Sequence, residues 1–433
     1  MAAITNPLQA KPDRPPNVIL IFADDQGTLD LNCYGSKDLF TPNLDALAER
    51  GVRFTQFYVA SPVCSPSRAA LLTGRNPLRA GVKTNVSSRP GAPGMPASEI
   101  TLAELLKTKG YRTALFGKWH LGDTPESAPN GQGFDEFFGH KSGCIDNYSH
   151  YFYWQGPPFH DLWRNEIEVF EDGVHFTELI VRETNRFIAA NKENPFFIYL
   201  AMNLPHYPTQ APEQFRKIYE KMPEPRRSYA ATISYLDDAV GRVASTVDRL
   251  GLRENTMIIF LSDHGHSTEE RTGFGGGNAG EFRGAKFSLF EGGIRVPCIA
   301  SWPGKIPEGQ TRGQFAASVD WFPTIGELCG VTLPERTFDG KNLAGVLRSA
   351  DAPSPHGVFH WQIGDQWAVR DGVWKLLNNA SDSFPPGKTR VDKVFLANLA
   401  KDPTESKNFA AEESAIVHRL TALHNQWLAE LEK

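Results

Sequence analysis

The chain has 433 residues, of which 40% are hydrophobic and 22% charged, a balance that excludes a disordered chain and a coiled coil. Its 45 Lys and Arg against 50 Asp and Glu give a net charge of −5, so no basic footprint predicts nucleic acid or a membrane surface as a partner. The longest apolar runs, such as Phe196 to Met202, fall far below the roughly 18 residues that a bilayer-spanning helix needs.

The first segment, residues 1–16, is polar and Pro-rich. It lacks the charged n-region and apolar h-region of a signal peptide. We predict an N-terminal extension there, typical of the mature end of a periplasmic or secreted protein, with a cytoplasmic location left open.

Short apolar strand patterns then alternate with helical patterns, which predicts an α/β fold with a largely parallel sheet flanked by helices. Val18 to Ala23 is a buried-strand pattern. A helix follows, with Thr41 as N-cap, Pro42 at the first helical position and Gly51 at its end.

The next helix begins near Cys64. Pro66 suits the first helical position, and the apolar run Ala69 to Leu72 continues the helix to Gly74. Cys64 would then lie at a helix N-terminus, where backbone N–H groups favour anions. It is either a small buried cysteine or a nucleophile that faces an anion.

Further elements follow in the same alternation. Thr101 and Glu104 form a capping box that opens a short helix. Apolar residues from Tyr229 to Leu250 recur at spacings of four and three, which predicts a long amphipathic helix ended by Gly251. The other predicted strands are Tyr111 to Phe116, Phe196 to Met202, Thr256 to Leu261 and Val296 to Ser301.

The pattern changes near Ala350. Three short strand patterns predict an antiparallel sheet, with Asp371-Gly372 as the turn between the last two and a helix from about Glu412 to the end. We therefore predict a catalytic domain at residues 17–350 and a smaller C-terminal α+β subdomain at 351–433. The strand patterns are Val358 to Trp361, Gln366 to Arg370 and Val373 to Leu377.

Polar residues of catalytic types follow four of the strands directly. In an open α/β sheet the ligand crevice lies at the carboxyl ends of the strands, so we expect these groups to converge. They are Asp24-Asp25, Lys118 with His120, His206, and Asp263-His264.

Three of these residues are carboxylates, Asp24, Asp25 and Asp263. They would repel each other unless a cation neutralised them, and an oxygen-rich set favours Ca²⁺, or less readily Mg²⁺, over zinc. An Asp after a strand often only caps a helix, so the prediction depends on their joint placement. The five cysteines are odd in number and contain no Cys-x-x-Cys pair, which argues against a disulfide framework and a structural zinc site.

The positive and titratable residues Lys118, His120, His206 and Lys286 would lie near this cation. Singly, each is most often a solvated lysine or a loop histidine. Together, they predict an anionic substrate with histidine as a general acid or base.

These residues stand in motifs that resemble the type I sulfatases, of the arylsulfatase-like branch. The twelve residues from Cys64 to Arg75 are similar to the family's cysteine signature, which is highly specific, and Gly117 to Gly122 resembles its second signature. Further blocks follow in the family's order, and the resemblance runs from about Asn17 to Leu377. These blocks are Asp24 to Gly27, Pro205-His206, Asp263 to Gly265 and Gly284 to Lys286.

The resemblance implies an alkaline-phosphatase-like fold and hydrolysis of a sulfate monoester by a formylglycine gem-diol. The formylglycine-generating enzyme would make this group from Cys64, and its determinants Pro66 and Arg68 are present. The gem-diol has a second hydroxyl that allows the aldehyde to reform and sulfate to leave, whereas an ordinary Ser or Cys ester would trap the sulfated enzyme.

The resemblance also implies a role for each residue. Asp24, Asp25, Asp263, His264 and formylglycine 64 would bind calcium, although many members have Asn at the position of His264. Arg68 and Lys118 would hold the formylglycine, and His120 would contact its hydroxyl. His206 and Lys286 would hold the sulfate and the leaving oxygen.

The substrate is less well defined by the sequence, and a carbohydrate or aryl sulfate is expected. The aromatic segment Asp146 to Trp163, including Tyr148, is either a sugar-stacking loop or core. Ser267 to Arg283 would form a rim, and His360 would reach the pocket from the C-terminal subdomain. The rim residues available for contacts are Glu269, Glu270, Arg271 and Arg283. A phosphonate or phosphate monoester hydrolase and a silent anion-binding protein with unmodified Cys64 remain alternatives.

Overall fold

The structure is a computed structural model that describes residues 14–154, 156–382 and 392–431. Most of the N-terminal extension, 1–16, and the last two residues of the chain therefore lie outside the described residues. None of the helices in these ranges combines the length and apolar character that a bilayer-spanning helix requires.

Ten of the described strands form one mixed, largely parallel sheet in the order β13-β2-β12-β11-β1-β10-β4-β5-β8-β9, with the five strands from β11 to β5 parallel. The strands are β1 (Asn17–Asp24), β2 (Val52–Phe54), β3 (Phe57–Tyr58), β4 (Arg112–Lys118), β5 (Glu136–His140), β6 (Tyr151–Phe152), β7 (Phe159–His160), β8 (Trp163–Arg164), β9 (Ile167–Glu168), β10 (Phe196–Pro205), β11 (Thr256–Ser262), β12 (Cys298–Ser301), β13 (Gln310–Arg312), β14 (Ala316–Ala317), β15 (Val358–Ile363), β16 (Gln366–Asp371), β17 (Trp374–Asn378) and β18 (Val394–Asn398).

Helices cover both faces of this sheet. Alternate residues of β1 point to opposite sides, with Val18, Leu20 and Phe22 in one apolar core and Ile19 and Ile21 in the other, which explains why the strand is a continuous apolar run. The helices are α1 (Pro42–Glu49), α2 (Cys64–Thr73), α3 (Leu102–Lys107), α4 (Phe176–Ala190), α5 (Glu213–Ile218), α6 (Arg226–Arg249), α7 (Glu291–Ile294), α8 (Trp321–Leu328), α9 (Ala344–Arg348) and α10 (Ser414–Leu431).

Two helix starts differ from the prediction. Thr41 precedes α1 but does not cap it, because its hydroxyl bonds Asn32 while the Asp237 carboxylate of α6 accepts the backbone N–H groups of Asn43 and Leu44. Helix α2 begins at Cys64 itself, so Pro66 is the third residue, where its missing N–H still costs no helical bond. The capping box at Thr101 is confirmed.

A separate antiparallel sheet, β15-β16-β17-β18, carries α10 on one face. The sequence pattern predicted three of these strands and the helix, but not β18. The predicted hairpin is present, but Asp371 pairs with Trp374, so Gly372 and Val373 are the loop residues. The domain boundary at residue 350 remains a prediction. All five cysteines fall within the described residues and are free thiols.

Candidate active site

The carboxyl ends of four adjacent parallel strands meet at one edge of the large sheet. Asp24 ends β1, Lys118 ends β4, His206 follows β10, and Asp263 follows β11. The structure therefore brings these residues together although up to 239 positions separate them in the chain.

Close backbone packing holds these strand ends in place. A Cβ at Gly117 would lie 1.8 Å from the carbonyl oxygen of Ala201 in β10, and one at Gly139 would lie 1.8 Å from the carbonyl oxygen of Gly117. Only glycine fits at such contacts. These two glycines thus fix the position from which Lys118 enters the site.

Two site residues adopt backbone conformations that are uncommon outside glycine. Asp25 has φ 66° and His120 has φ 55°. Such residues concentrate at functional sites, because the surrounding structure must compensate for their cost. Here the Asp25 carboxylate lies 2.9 Å from Lys286 Nζ and 3.5 Å from His264 Nε2.

Four side chains place one possible ligand atom each within 4.8 Å of the others; they are Asp24, Asp25, Cys64 and His264. His264 Nδ1 lies 3.0 Å from the Gly265 carbonyl oxygen, which fits a tautomer whose Nε2 lone pair faces the group. Asp263 is adjacent: its Oδ1 lies 3.5 Å from His264 Nε2 and accepts the Asp25 N–H at 3.1 Å. Carboxylate oxygens dominate this set, which suits a hard divalent cation.

Buried cations surround the carboxylates. Lys118 Nζ lies 2.7 Å from Asp24, Lys286 Nζ lies 2.9 Å from Asp25, and Arg68 lies 3.0 Å from Asp263. Burial alone would raise the pKa of Asp24, but Lys118 and the other nearby cations hold it well below its usual value. Burial raises the pKa of Asp263 to about 7, against the effect of His264.

The same charges act on Cys64, which is buried at the start of α2 and lines a cavity. Its Sγ lies 3.4 Å from His264 Nε2 and 3.9 Å from Asp24 Oδ1. Burial would raise the pKa of the thiol, but Lys118 and Lys286 lower it well below its usual value. The site is therefore built to stabilise an anion at position 64.

Two histidines of the cavity have different surroundings. His206 stacks on Tyr207 and places Nε2 3.7 Å from Asp25, whereas His120 Nε2 lies 3.2 Å from the Val86 carbonyl oxygen. Burial lowers the pKa of both rings. Burial therefore favours the neutral form of both rings.

The cavity has a volume of about 370 Å³. Cys64, His120, His206 and Lys286 line it, together with Arg271 of the predicted rim. Two aromatic side chains of the predicted sugar-stacking segment also line it, Phe152 and Trp154.

The structure places the other four predicted substrate contacts outside this lining. Lys118 is buried against Asp24. Arg283 pairs with Asp382 and packs over Phe290. Tyr148 packs on His175, and His360 stacks on Trp427 of α10. Their side chains are engaged in packing between elements, which the sequence pattern did not reveal.

Sequence reasoning missed the wall formed by residues 85–89. The Asn85 side chain accepts the N–H of Ser65, and the Val86 N–H bonds the Ser65 hydroxyl, so this loop is fixed to the start of α2. Its last residue, Arg89, lines the cavity. A short polar run without periodicity gives no signal of such a position.

Comparisons with known proteins agree with this geometry. A profile of the Sulfatase family matches residues 16–331. Arylsulfatase A of Homo sapiens is 35% identical over 91% of this chain and 83% of its own length. N-acetylgalactosamine-6-sulfatase of Rattus norvegicus is 38% identical over 95% of this chain and 80% of its own.

Solved structures are similar over nearly the whole chain. Ps i-CgsB in complex with k-i-k-neocarrahexaose has a TM-score of 0.86 and 31% identity, and the match covers 96% of this chain and 93% of that one. Phosphonate monoester hydrolase of Agrobacterium radiobacter, 21% identical with a TM-score of 0.68 over 96% of this chain and 95% of that one, shares the fold. The predicted alkaline-phosphatase-like fold is confirmed.

Proposed function

The chain belongs to the sulfatase family and hydrolyses sulfate esters, and we propose that its substrate is a saccharide sulfate that carries a second anionic group. The observation that carries this proposal is Arg271 on the cavity wall. Its guanidinium carbon lies 3.1 Å from the Trp154 ring centroid and 4.5 Å from that of Tyr207. Arg271 also pairs with Glu269 at 2.6 Å. A cation that packs on aromatic rings beside a sulfate site suits an anionic sugar ring.

Relatives support the saccharide assignment. One is named for a sulfated N-acetylgalactosamine, and the solved structure of another contains k-i-k-neocarrahexaose. In this chain, Trp154 lines the cavity and is 43% exposed, so a sugar would contact the part of its ring that Arg271 leaves uncovered.

The family generally uses formylglycine and a divalent metal, and the residues present fit both. Formylglycine, made from Cys64 by the formylglycine-generating enzyme, supplies a hydrated aldehyde as nucleophile, and calcium supplies positive charge for the sulfuryl oxygens. Asp24, Asp25, Asp263 and His264 would hold the ion.

The chain's own residues would manage charge and protons. Lys118 and Lys286 stabilise negative charge that develops on the sulfuryl and leaving oxygens, since both ammonium groups are buried and already oriented by carboxylates. Arg68 fixes Asp263, which would accept a proton from the nucleophile. His206 would protonate the leaving oxygen from its protonated form, and neutral His120 would accept a proton when sulfate departs.

The test compares two disaccharide sulfates that share a skeleton and scissile sulfate, one of them with a second sulfate on the neighbouring sugar. We expect the disulfated compound to have the higher kcat/KM. Arg271→Gln should lower the kcat/KM of the disulfated compound about 10-fold, because a charge-assisted contact is lost. The kcat/KM of the monosulfated compound should be nearly unchanged.

The matched control is Arg227→Gln, which changes an exposed arginine of α6 that pairs with Glu224. Equal kcat/KM values for the two disaccharides would contradict the second anionic group while leaving sulfatase activity intact. A preference for the phosphate ester of the same sugar would instead favour the phosphatase alternative.

A further inference from the structure

A second group of possible metal ligands lies in the segment before α4 and shares no residue with the active site. It consists of His150, His160 and Asp172, whose ligand atoms all lie within 4.8 Å of one another. We propose that these three side chains bind a zinc ion that fixes the β6–β7 hairpin.

Two imidazole nitrogens point at one carboxylate oxygen. His150 Nδ1 lies 3.9 Å and His160 Nε2 lies 3.8 Å from Asp172 Oδ1. Both nitrogens are buried and have no hydrogen-bond partner among the described residues, although buried polar atoms normally have one. A metal ion would satisfy both.

The distances between the ligand atoms are compatible with tetrahedral coordination of a zinc ion. Zinc bonds of about 2.0–2.1 Å place neighbouring donor atoms roughly 3.3 Å apart. The Asp172 side chain is 60% exposed and is free to move the remaining half ångström. The fourth position would face solvent.

The opposite nitrogen of each ring is already engaged. His160 Nδ1 lies 2.9 Å from Glu168 Oε1, and His150 Nε2 lies 3.1 Å from the Val174 carbonyl oxygen. Such partners accept the N–H of a metal-binding histidine and leave the other nitrogen as a lone pair for the ion. Burial also lowers the pKa of His150, which favours the neutral form that binds metal.

Backbone bonds hold the three ligands in place. Tyr151 pairs with His160 across the hairpin, and the Asp161 N–H bonds the His150 carbonyl. The Gly173 N–H bonds the Tyr148 carbonyl, which ties the Asp172 turn to the same hairpin. The site is therefore assembled by backbone structure that does not depend on the ion.

The ligand types distinguish this site from the active site. Two imidazoles and one carboxylate suit a borderline ion such as zinc, whereas calcium prefers oxygen donors. The sequence argument against zinc concerned the cysteines, and these histidines are ten positions apart without a recognised motif. The hairpin carries Phe152 and Trp154, so the ion would stabilise one wall of the cavity.

The experiment measures zinc binding to the full chain, after chelation and with calcium present throughout, by elemental analysis and by competition with a chromophoric chelator. We expect one zinc per chain and a higher thermal midpoint with zinc. Asp172→Ala should weaken zinc binding by at least about 100-fold, and Glu168→Gln by about 10-fold.

Glu166→Ala is the matched control, because it removes an exposed carboxylate of the adjacent β8–β9 turn and should leave zinc affinity unchanged. Asp24→Ala should likewise retain the zinc, which excludes the active site as its location. Asp172 is exposed, so its loss should not unfold the chain. Absence of zinc at micromolar free concentration, or equal affinity of wild type and Asp172→Ala, would overturn the proposal.

Discussion

Two buried clusters of charged side chains have similar composition and different surroundings. The catalytic cluster comprises Asp24, Asp25, Asp263, Arg68, Lys118 and Lys286. The inter-sheet cluster joins α7 to the C-terminal sheet and comprises Tyr58, Glu291, Arg295, Arg370, Lys375 and Glu405.

The charged groups of the inter-sheet cluster are bonded to one another. Lys375 Nζ lies 2.9 Å from Glu291 and 3.0 Å from Glu405, Tyr58 donates to Glu291, and the Glu291 N–H donates to Glu405. None of its members lines the cavity beside Cys64. In the catalytic cluster, Lys286 reaches both Asp25 and that cavity. Burial and charge alone therefore do not identify a site; access to a cavity does.

The largest expected effect on activity comes from the loss of Cys64, which lies beside the catalytic cluster. Cys64→Ala should lower activity by about 10⁴-fold or more, because the nucleophile is lost, and should leave the fold intact. Peptide mass spectrometry of active wild type should show formylglycine at position 64. Cys144→Ala is the control, since Cys144 lines the same cavity. Full activity of protein that carries only cysteine at position 64 would refute the assignment.

A substitution in the inter-sheet cluster should lower stability and leave activity nearly unchanged. Lys375→Met leaves Glu405 without its cation and Glu291 with Arg295 alone, and should lower the free energy of unfolding by about 3–5 kcal/mol. The kcat of the folded protein should change little. Urea unfolding followed by tryptophan fluorescence measures the loss, with the exposed Lys401→Met as control. A large loss of kcat at full stability would show that the two clusters are functionally connected.

The third prediction separates the two histidines at the catalytic cluster. His206→Ala should slow a sugar sulfate about 10²-fold more than nitrophenyl sulfate, because only the poor leaving group needs a proton. His120→Ala should slow both substrates alike, with sulfated protein accumulating after a burst of alcohol. Steady-state rates and intact-protein masses test this division. Equal rate losses on the two substrates for His206→Ala, with no sulfated protein in His120→Ala, would contradict this division of roles.

The smallest effect concerns pH and the inter-sheet cluster. Burial raises the pKa of Glu405 from 4.5 to about 7 despite Lys375, so its contribution to stability is present below pH 4.5 and is lost as the pH rises through about 7. For Glu291, burial is outweighed by Lys375, which lowers the pKa to about 2. Its contribution is present above pH 4.5 and is lost as the pH falls toward 2.

The side chain of Glu405→Gln cannot ionise. The thermal midpoint of this variant should therefore fall a few degrees less than that of wild type between pH 4.5 and 7. Differential scanning calorimetry across this range measures the difference. Parallel curves for the two proteins would contradict the raised pKa of Glu405.

The sequence by itself determined five neighbouring strands of the ten in the large sheet, and the edge at which the predicted site residues meet. Continuous apolar runs such as Val18 to Ala23 specify strands buried on both faces, and the polar residues after them mark the carboxyl edge. The capping box at Thr101 was likewise local, because both partners lie within one helical turn. Residues close in sequence or placed by strand ends can be predicted in this way.

Only the tertiary structure decided which loop side chains reach the cavity. Arg271 and Arg283 belong to the same polar segment and both pair with a carboxylate, yet only Arg271 lines the cavity. Likewise, His150 and His160 meet Asp172 only because the hairpin and the turn after β9 fold together. Irregular segments have no periodicity that fixes where a side chain points, so long-range contacts decide it.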